Sequence, residues 1–514
     1  MLRVHEQLLL LPRLLTAHLG LSLFSLLVGV CISVPLGVLA SRRSWLGRWL
    51  LSGAALVQTI PSLALLALMV PVLGSLGLQS IGFLPAFVAL VLYTVLPVLR
   101  NTVTGLANLP PALIEAARGV GMDPWQQLVR VELPLALPVI VAGIRTASVW
   151  TVGAATLATP VGADSLGNFI FAGLQTRNFS AVLVGCLGAA ALALGLDGLG
   201  KLLLSGIERR SRRLIALASV AFAGLYAYAG AAIASGVQAR DVVVVGTKTF
   251  TEQYILGELL SDRIHGATGL PVQLKPSLGS TVVFDALLAG SVDVYVDYSG
   301  TIWATLMKRS DLPRDREGML AEIGRHLATQ HGVTLVGPLG FENSYALAMR
   351  RDRARELGVR RISDLARVAP SLTAGGDYEF FDRPEWAAIR KVYALEFRQQ
   401  RSMDPSLMYQ AAASRAVDVI GAFSTDGRIA AYDLVVLEDE RGAIPRYDAV
   451  MLAGKRLGQR HPEVIDALRA LDGVLDASRM REMNLAVDLQ GKLPVDVARE
   501  FARGAGVQRS LAPQ

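Results

Sequence analysis

Apolar residues form long unbroken runs as far as residue 236 and only short runs, broken by charges and turn formers, beyond it. Runs that reach the roughly 20 residues a bilayer crossing needs lie near 17–41, 49–75, 79–99, 137–161, 179–205 and 213–236. From Asp241 the pattern predicts a strand over Val242–Gly246, a helix over Glu252–His265, a strand over Val272–Pro276, a helix over Ser280–Ala289 and a strand over Val292–Val296. Strands alternating with helices imply a parallel sheet. Ligands of such sheets sit at the carboxyl ends of the strands, so Thr247–Gln253, Gly279–Thr281 and Asp297–Thr301 are expected around one crevice. The expectation is an all-α polytopic membrane domain of about six transmembrane helices over residues 1–236, followed by an α/β two-lobed domain over 237–514. One lobe is expected over 241–345 plus 446–514, the other over 346–445, with a cleft that closes on a small solute.

Composition supports the division. With 52% hydrophobic and 18% charged residues, the chain is too apolar for an ordinary soluble enzyme and too charged to lie wholly in lipid. Residues 1–238 hold 15 Lys and Arg against 7 Asp and Glu, whereas 239–514 hold 35 against 36, so the surplus positive charge belongs to the membrane half. It clusters at Arg42, Arg43 and Arg48, at Arg100, Arg118 and Arg130, and at Arg209, Arg210, Arg212 and Arg213, in every second loop. The positive-inside rule makes those loops cytoplasmic, starts the chain outside, and has the sixth segment deliver the soluble half to the outside of a plasma membrane. That placement accounts for the basic balance without nucleic acid. Cys31 and Cys186 lie in apolar runs and read as small buried side chains, not as a disulfide or metal pair. The first residues lack a small-residue cleavage site, so the first segment is expected to be retained.

One cytoplasmic interval is patterned. Pro111 to Gly121 and Met122 to Glu132 fit two short helices about a turn at Gly121, with Ala116 and Ala117 small enough for close packing. Glu115-Ala116-Ala117, Gly121 and Leu133-Pro134, at their spacing, resemble the coupling loop of ABC importer permeases, with Val131 where that family usually has Ile. The resemblance implies that Glu115 faces a cytoplasmic ABC ATPase. No Gly-x-x-x-x-Gly-Lys-Ser/Thr string occurs, so no cofactor is expected in this chain and ATP is expected on the partner.

The soluble half carries Gly246-Thr247-Lys248-Thr249-Phe250-Thr251-Glu252-Gln253, Val296-Asp297-Tyr298-Ser299-Gly300-Thr301, Gly340-Phe341-Glu342-Asn343-Ser344-Tyr345 and Phe423-Ser424-Thr425-Asp426. These strings, with Gln58-Thr59-Ile60-Pro61-Ser62 in the membrane half, resemble the osmoprotectant ABC importers of glycine betaine, choline and carnitine. A periplasmic-binding-protein-like fold is thereby implied. A trimethylammonium head has no N–H to donate, and aromatic faces both attract it and match its methyl shell. The resemblance implies a box of Tyr298, Tyr345, Phe423 and Tyr447, with Gln253 and Thr301 at its edge and Phe423 where relatives often have Tyr. Taken singly, each tyrosine also fits a strand-end core position. Arg428 is either a fork for a solute carboxylate or a solvated residue at a helix start.

Tyr378-Glu379-Phe380-Phe381-Asp382-Arg383-Pro384-Glu385-Trp386 reads as a structural turn of the second lobe, with a rim contact as the other option. The six histidines show no metal-ligand spacing, and no catalytic constellation emerges. The sequence reading is therefore an importer permease with its own solute receptor, working as a homodimer in a lipid bilayer with separate ATPase chains. An ergothioneine importer of the same layout stays open, as does a membrane receptor whose outer domain senses an amine.

Overall fold

The computed structural model describes residues 2–176, 178–236, 242–309, 316–444 and 446–504. It separates into a helical unit drawn from residues 1–240 and an α/β unit built almost wholly from residue 241 onward.

The helical unit comprises α1 (Leu2–Arg42), α2 (Ser44–Thr59), α3 (Ser62–Ser75), α4 (Phe83–Ala107), α5 (Pro111–Gly119), α6 (Pro124–Gln127), α7 (Leu133–Ala155), α8 (Gly167–Gln175), α9 (Phe179–Glu208) and α10 (Arg212–Gly236). The run expected at 49–75 is not one straight helix, because α2 and α3 meet at 99°. Pro61 causes the break, since proline lacks an N–H and drives the residue before it into extended backbone, here Ile60 at φ −72° and ψ 125°. The carbonyl of Ile60 accepts the Tyr93 hydroxyl, and the Gln58 side-chain amide donates to the Tyr93 carbonyl at 3.3 Å, so the interrupted backbone is satisfied inside the protein.

Contacts fix the helix directions. Ser25 Oγ donates to the Phe87 carbonyl and Ser33 Oγ to the Val95 carbonyl, so α1 and α4 run parallel. The chain between them must therefore return across the bundle, which makes the bent α2–α3 pair one crossing. With α1, α4, α7, α9 and α10 it brings the candidate spans to six. Along the α1–α4 contact the backbones approach closely, and a Cβ at Gly29 would lie 1.7 Å from Thr94 Oγ1. Tyr226 donates to the Leu23 carbonyl at 3.1 Å while Gly20 lies beside Ile233, so α10 runs antiparallel to α1. Gly143 sits over Asn101 and Gly105 over Ala136, which sets α7 antiparallel to α4. Inside the bundle Arg145 donates from Nε at 3.0 Å and Nη2 at 2.8 Å to Asp197 Oδ1, tying α7 to α9.

Cys31 and Cys186 are free and exposed, which corrects the expectation that they are buried. An apolar run reports a helix in lipid, and in such a helix apolar side chains face outward as readily as inward.

The α/β unit begins with β1 (Val243–Lys248), α11 (Thr251–Thr268), β2 (Val272–Leu278), α12 (Ser280–Leu288) and β3 (Val294–Tyr298), the alternation the sequence predicts. Helix α11 runs three residues past the expected end and stops where Gly269 takes a φ of +71°. Strands β4 (Thr334–Glu342), β5 (Tyr345–Arg350), β6 (Thr373–Gly376), β7 (Gln399–Ser402), β8 (Val419–Phe423), β9 (Leu434–Val436) and β10 (Asp448–Ala453) complete two five-stranded sheets. Their orders are β2-β1-β3-β10-β4 and β7-β6-β8-β5-β9. β1 pairs in parallel with β2 and β3, and β10 is antiparallel to β3 and β4. The chain passes to the second sheet through Asn343 and Ser344 and returns through Arg446 and Tyr447, and the two passages are joined where Asn343 N–H donates to the Tyr447 carbonyl at 2.9 Å. Val245, Ile255, Leu259, Val296 and Met451 are buried in the core of the first lobe.

Helix α11 also packs against the helix Pro494–Gly504. Burial, and secondarily the Asp262 carboxylate one turn on, push Glu258 from its ordinary 4.5 up to about 7, against the pull of Arg499. A raised carboxylate favours the folded state when protonated, so its stabilisation is complete below about 4.5 and lost as the pH climbs through 7. Thermal unfolding at pH 5 and pH 8 should show a higher midpoint at pH 5. Glu258→Gln should shrink that gap, and an unchanged gap would remove Glu258 as its source.

Candidate functional site

The ends of β1 and β3 face each other through the residues of the two signature strings. Gln253, at the start of α11, donates from Nε2 to the Val296 carbonyl at 3.1 Å and to the Tyr298 hydroxyl at 3.2 Å, and its Oε1 accepts the Lys248 N–H at 3.3 Å. Lys248 Nζ meets Asp297 Oδ1 at 2.5 Å, and Tyr295 donates to the other oxygen of Asp297 at 2.5 Å. Both members of the ion pair are buried, so these residues lock the strand ends together. Gln253 has its amide committed within this network, and Thr301 is half-buried in the short helix Ser299–Thr301 that follows β3.

The structure brings the four candidate aromatics into one chain of ring contacts. Tyr345, leading β5, lies 5.1 Å from Phe423 and 5.9 Å from Tyr447 between ring centroids. Phe423, closing the adjacent β8, stacks parallel to Phe250 at 6.4 Å, and Phe250 lies 6.1 Å from Tyr298. The cross-strand register explains the first contact, because Tyr345 stands directly opposite Phe423. Tyr447 packs under Gly300, where a Cβ would be 2.6 Å from its ring. The rings touch one another in this arrangement.

Several contributors were not among the sequence candidates. Phe250 links Tyr298 to Phe423, and Phe380 lies 5.3 Å from Tyr345 with Trp386 behind it at 5.2 Å. The Arg383 guanidinium lies 5.2 Å from the Tyr345 ring centroid, and Glu385 accepts the Tyr447 hydroxyl. The stretch read as a structural turn is indeed a turn, Phe380–Asp382, leading into a helix at Pro384, yet it also walls the cluster. Its density of aromatics was the available signal. Glu252 accepts from Tyr298 Oη at 2.5 Å, Thr425 Oγ1 at 2.5 Å, Asn343 Nδ2 at 2.9 Å and Asn484 Nδ2 at 3.2 Å. Burial raises its pKa, and the four donors pull the other way.

Arg428 is neither a solvated helix-start residue nor an open fork. It is buried, its Nε and Nη2 bind Asp426 at 2.9 and 2.6 Å, its Nη1 donates to the Pro405 carbonyl, and its guanidinium lies 4.2 Å from the Tyr409 ring centroid. The internal carboxylate two residues away fills the prongs that a solute carboxylate would need. Among the described residues, no group of three or more His, Cys, Asp or Glu side chains could hold a metal ion.

In the helical unit, α5 exposes Glu115 and Ala116 and buries Ala117. Gly121 turns the chain at φ +80°, and Asp123 caps α6 by accepting the Trp125 and Gln126 N–H groups. The second short helix does not stop before Leu133 and Pro134. It continues through a π turn, Leu128–Glu132, into α7, and the widened π register accommodates Pro134, which has no N–H to donate to the preceding turn. Glu132, buried in that turn, binds Gln127 at 2.5 Å and Arg42, the last residue of α1, at 2.5 Å. Val120 and Trp125, on either side of Gly121, stand 74% and 71% exposed.

A multi-pass helical unit, followed by a two-lobed domain with aromatic side chains clustered near its lobe crossings, defines an ABC importer permease that carries its own substrate-binding domain. The family profile for the substrate-binding domain of ABC-type glycine betaine transport systems matches residues 241–504, and that for the inner membrane component of binding-protein-dependent transport systems matches 33–239. The ergothioneine transport permease/ergothioneine binding protein EgtU of Helicobacter pylori is 31% identical over 491 residues, 92% of this chain and 86% of its own. The osmoprotectant import permease protein OsmW of Salmonella typhimurium is 45% identical over 177 residues, 34% of this chain and 82% of its own. The carnitine transport binding protein OpuCC of Listeria monocytogenes is 32% identical over 270 residues, 52% of this chain and 87% of its own. This chain belongs to the osmoprotectant-type ABC importers in which permease and substrate-binding domain are fused. It is a transporter subunit and a multi-pass membrane protein.

Proposed function

We propose that this chain imports quaternary amines and betaines of the glycine betaine, choline and carnitine type, driven by ATP hydrolysis on a separate cytoplasmic ATPase. The observation that carries the reading is the ring contact chain Tyr298–Phe250–Phe423–Tyr345–Tyr447. Each cation–π contact contributes ~0.5–2 kcal/mol, so three or four support micromolar binding without a salt bridge once ordering costs are met. Gln253 and Thr301 edge the box. Arg428 positions Asp426 and contacts a solute carboxylate only if that pair opens.

The division proposed is a permease domain over 1–236, with α10 as tether, and a binding domain over 237–514 whose lobes are 241–345 plus 446–514 and 346–445. The antiparallel course of α10 against α1 supports a binding domain in the periplasm or outside, because α10 then ends away from the coupling loop. Two copies form the pore in the bilayer, and Glu115, Ala116, Ala117, Gly121, Leu133 and Pro134 form the loop that seats each ATPase.

A thermal-shift screen of the purified full chain against glycine betaine, choline, carnitine, proline betaine and ergothioneine tests the solute class. At least one trimethylammonium compound should raise the unfolding midpoint, and a shift with ergothioneine alone would turn the reading to that solute. Silence across the panel would end the proposal.

A further inference from the structure

We propose that Glu252 is the counter-charge of the solute site and that, with Asn343 and Asn484, it selects quaternary amines carrying a hydrogen-bond donor away from the methylated nitrogen. The inference rests on the preceding reading of the aromatic cluster as the solute box. Glu252 is 2% exposed, and all four of its partners, Tyr298, Thr425, Asn343 and Asn484, are neutral. The buried cations described in the same domain are committed elsewhere, Lys248 to Asp297, Arg428 to Asp426 and Arg263 to the Ala467 carbonyl. Among the described residues the carboxylate is thus hydrogen-bonded but meets no cation of its own, an arrangement that a positively charged solute completes.

The two asparagines supply the second observation. Each commits its NH2 to Glu252, and a carboxylate accepts only donors, so their orientation is fixed and each Oδ1 points away. Both Oδ1 atoms are buried with no hydrogen-bond partner among the described residues. Glu252, Asn343, Thr425 and Asn484 line one small cavity with Phe250 and Phe423, and the two orphaned oxygens belong to residues of its wall, buried just behind the surface it presents. A trimethylammonium group has nothing to give these oxygens. A solute with an N–H or O–H at its other end satisfies them while its methylated head rests on the rings. Thr425 reaches Glu252 from the second lobe, so a solute that parts the lobes takes the place of that bond.

Titration calorimetry of the full chain in detergent compares glycine betaine, which has no donor, with choline and carnitine, which have one hydroxyl, and ergothioneine, which has ring N–H groups. Donor-bearing solutes should bind at least about tenfold tighter than glycine betaine, a gap of about 1.4 kcal/mol. Glu252→Gln should weaken every trimethylammonium solute about tenfold, and Asn484→Ala should narrow the preference for donors. If wild-type protein binds glycine betaine as tightly as the rest, or Glu252→Gln changes no affinity, the inference falls and the aromatic box stands. If no trimethylammonium compound binds, the box falls with it. Should Glu252→Gln fail to fold, the wild-type comparison decides alone.

Discussion

Replacing Glu115 by lysine should cut ATP-driven uptake about a hundredfold, the loss that about 3 kcal/mol of like-charge mismatch produces at a docking surface. Glu115 is exposed on α5, where the half-buried Ile114 and buried Ala117 show that the opposite side is the one packed on the bundle. Its substitution therefore removes a surface charge without opening a cavity, and the fold should persist. Val120 and Trp125, both exposed in the same loop, leave apolar side chains there that the substitution does not touch. Solute affinity should stay at the wild-type value, because no solute-box residue belongs to this loop. Uptake into vesicles loaded with ATP, measured beside calorimetric affinity, separates the two effects. Wild-type uptake by the lysine variant would mean that the loop does not seat an ATPase through this residue.

Tyr345→Ala should weaken binding of the cognate amine about tenfold to thirtyfold, equivalent to the upper part of the cation–π range. The ring contacts Phe380, Phe423 and Tyr447, so its removal breaks the cluster at its centre. Tyr345→Phe keeps the π face and should bind within about threefold of wild type, which guards against reading a folding defect as a binding one. Equal affinities for the alanine and wild-type chains would take Tyr345 out of the box.

Much of the architecture was legible because the relevant signals are local. Alternation of Val-rich runs with amphipathic ones located β1 to β3, and basic loops separated the spans. The grouping of Tyr298, Tyr345, Phe423 and Tyr447 was implied by the family resemblance of the strings that carry them. Hydropathy could not tell that the second span breaks, since an average over residues carries no direction, although Pro61 marked the spot. The pairing of Arg428 with Asp426 depends on a rotamer. The role of Glu252 was hidden for another reason: its donors come from residues 298, 343, 425 and 484, and only the closed chain path gathers them.

Helix α10 ends at Gly236 and β1 begins at Val243, so receptor and channel are made in equal number and cannot drift apart. A short covalent link between two modules sets an effective concentration in the millimolar range. The binding domain therefore meets the membrane domain of its own chain without a diffusional search.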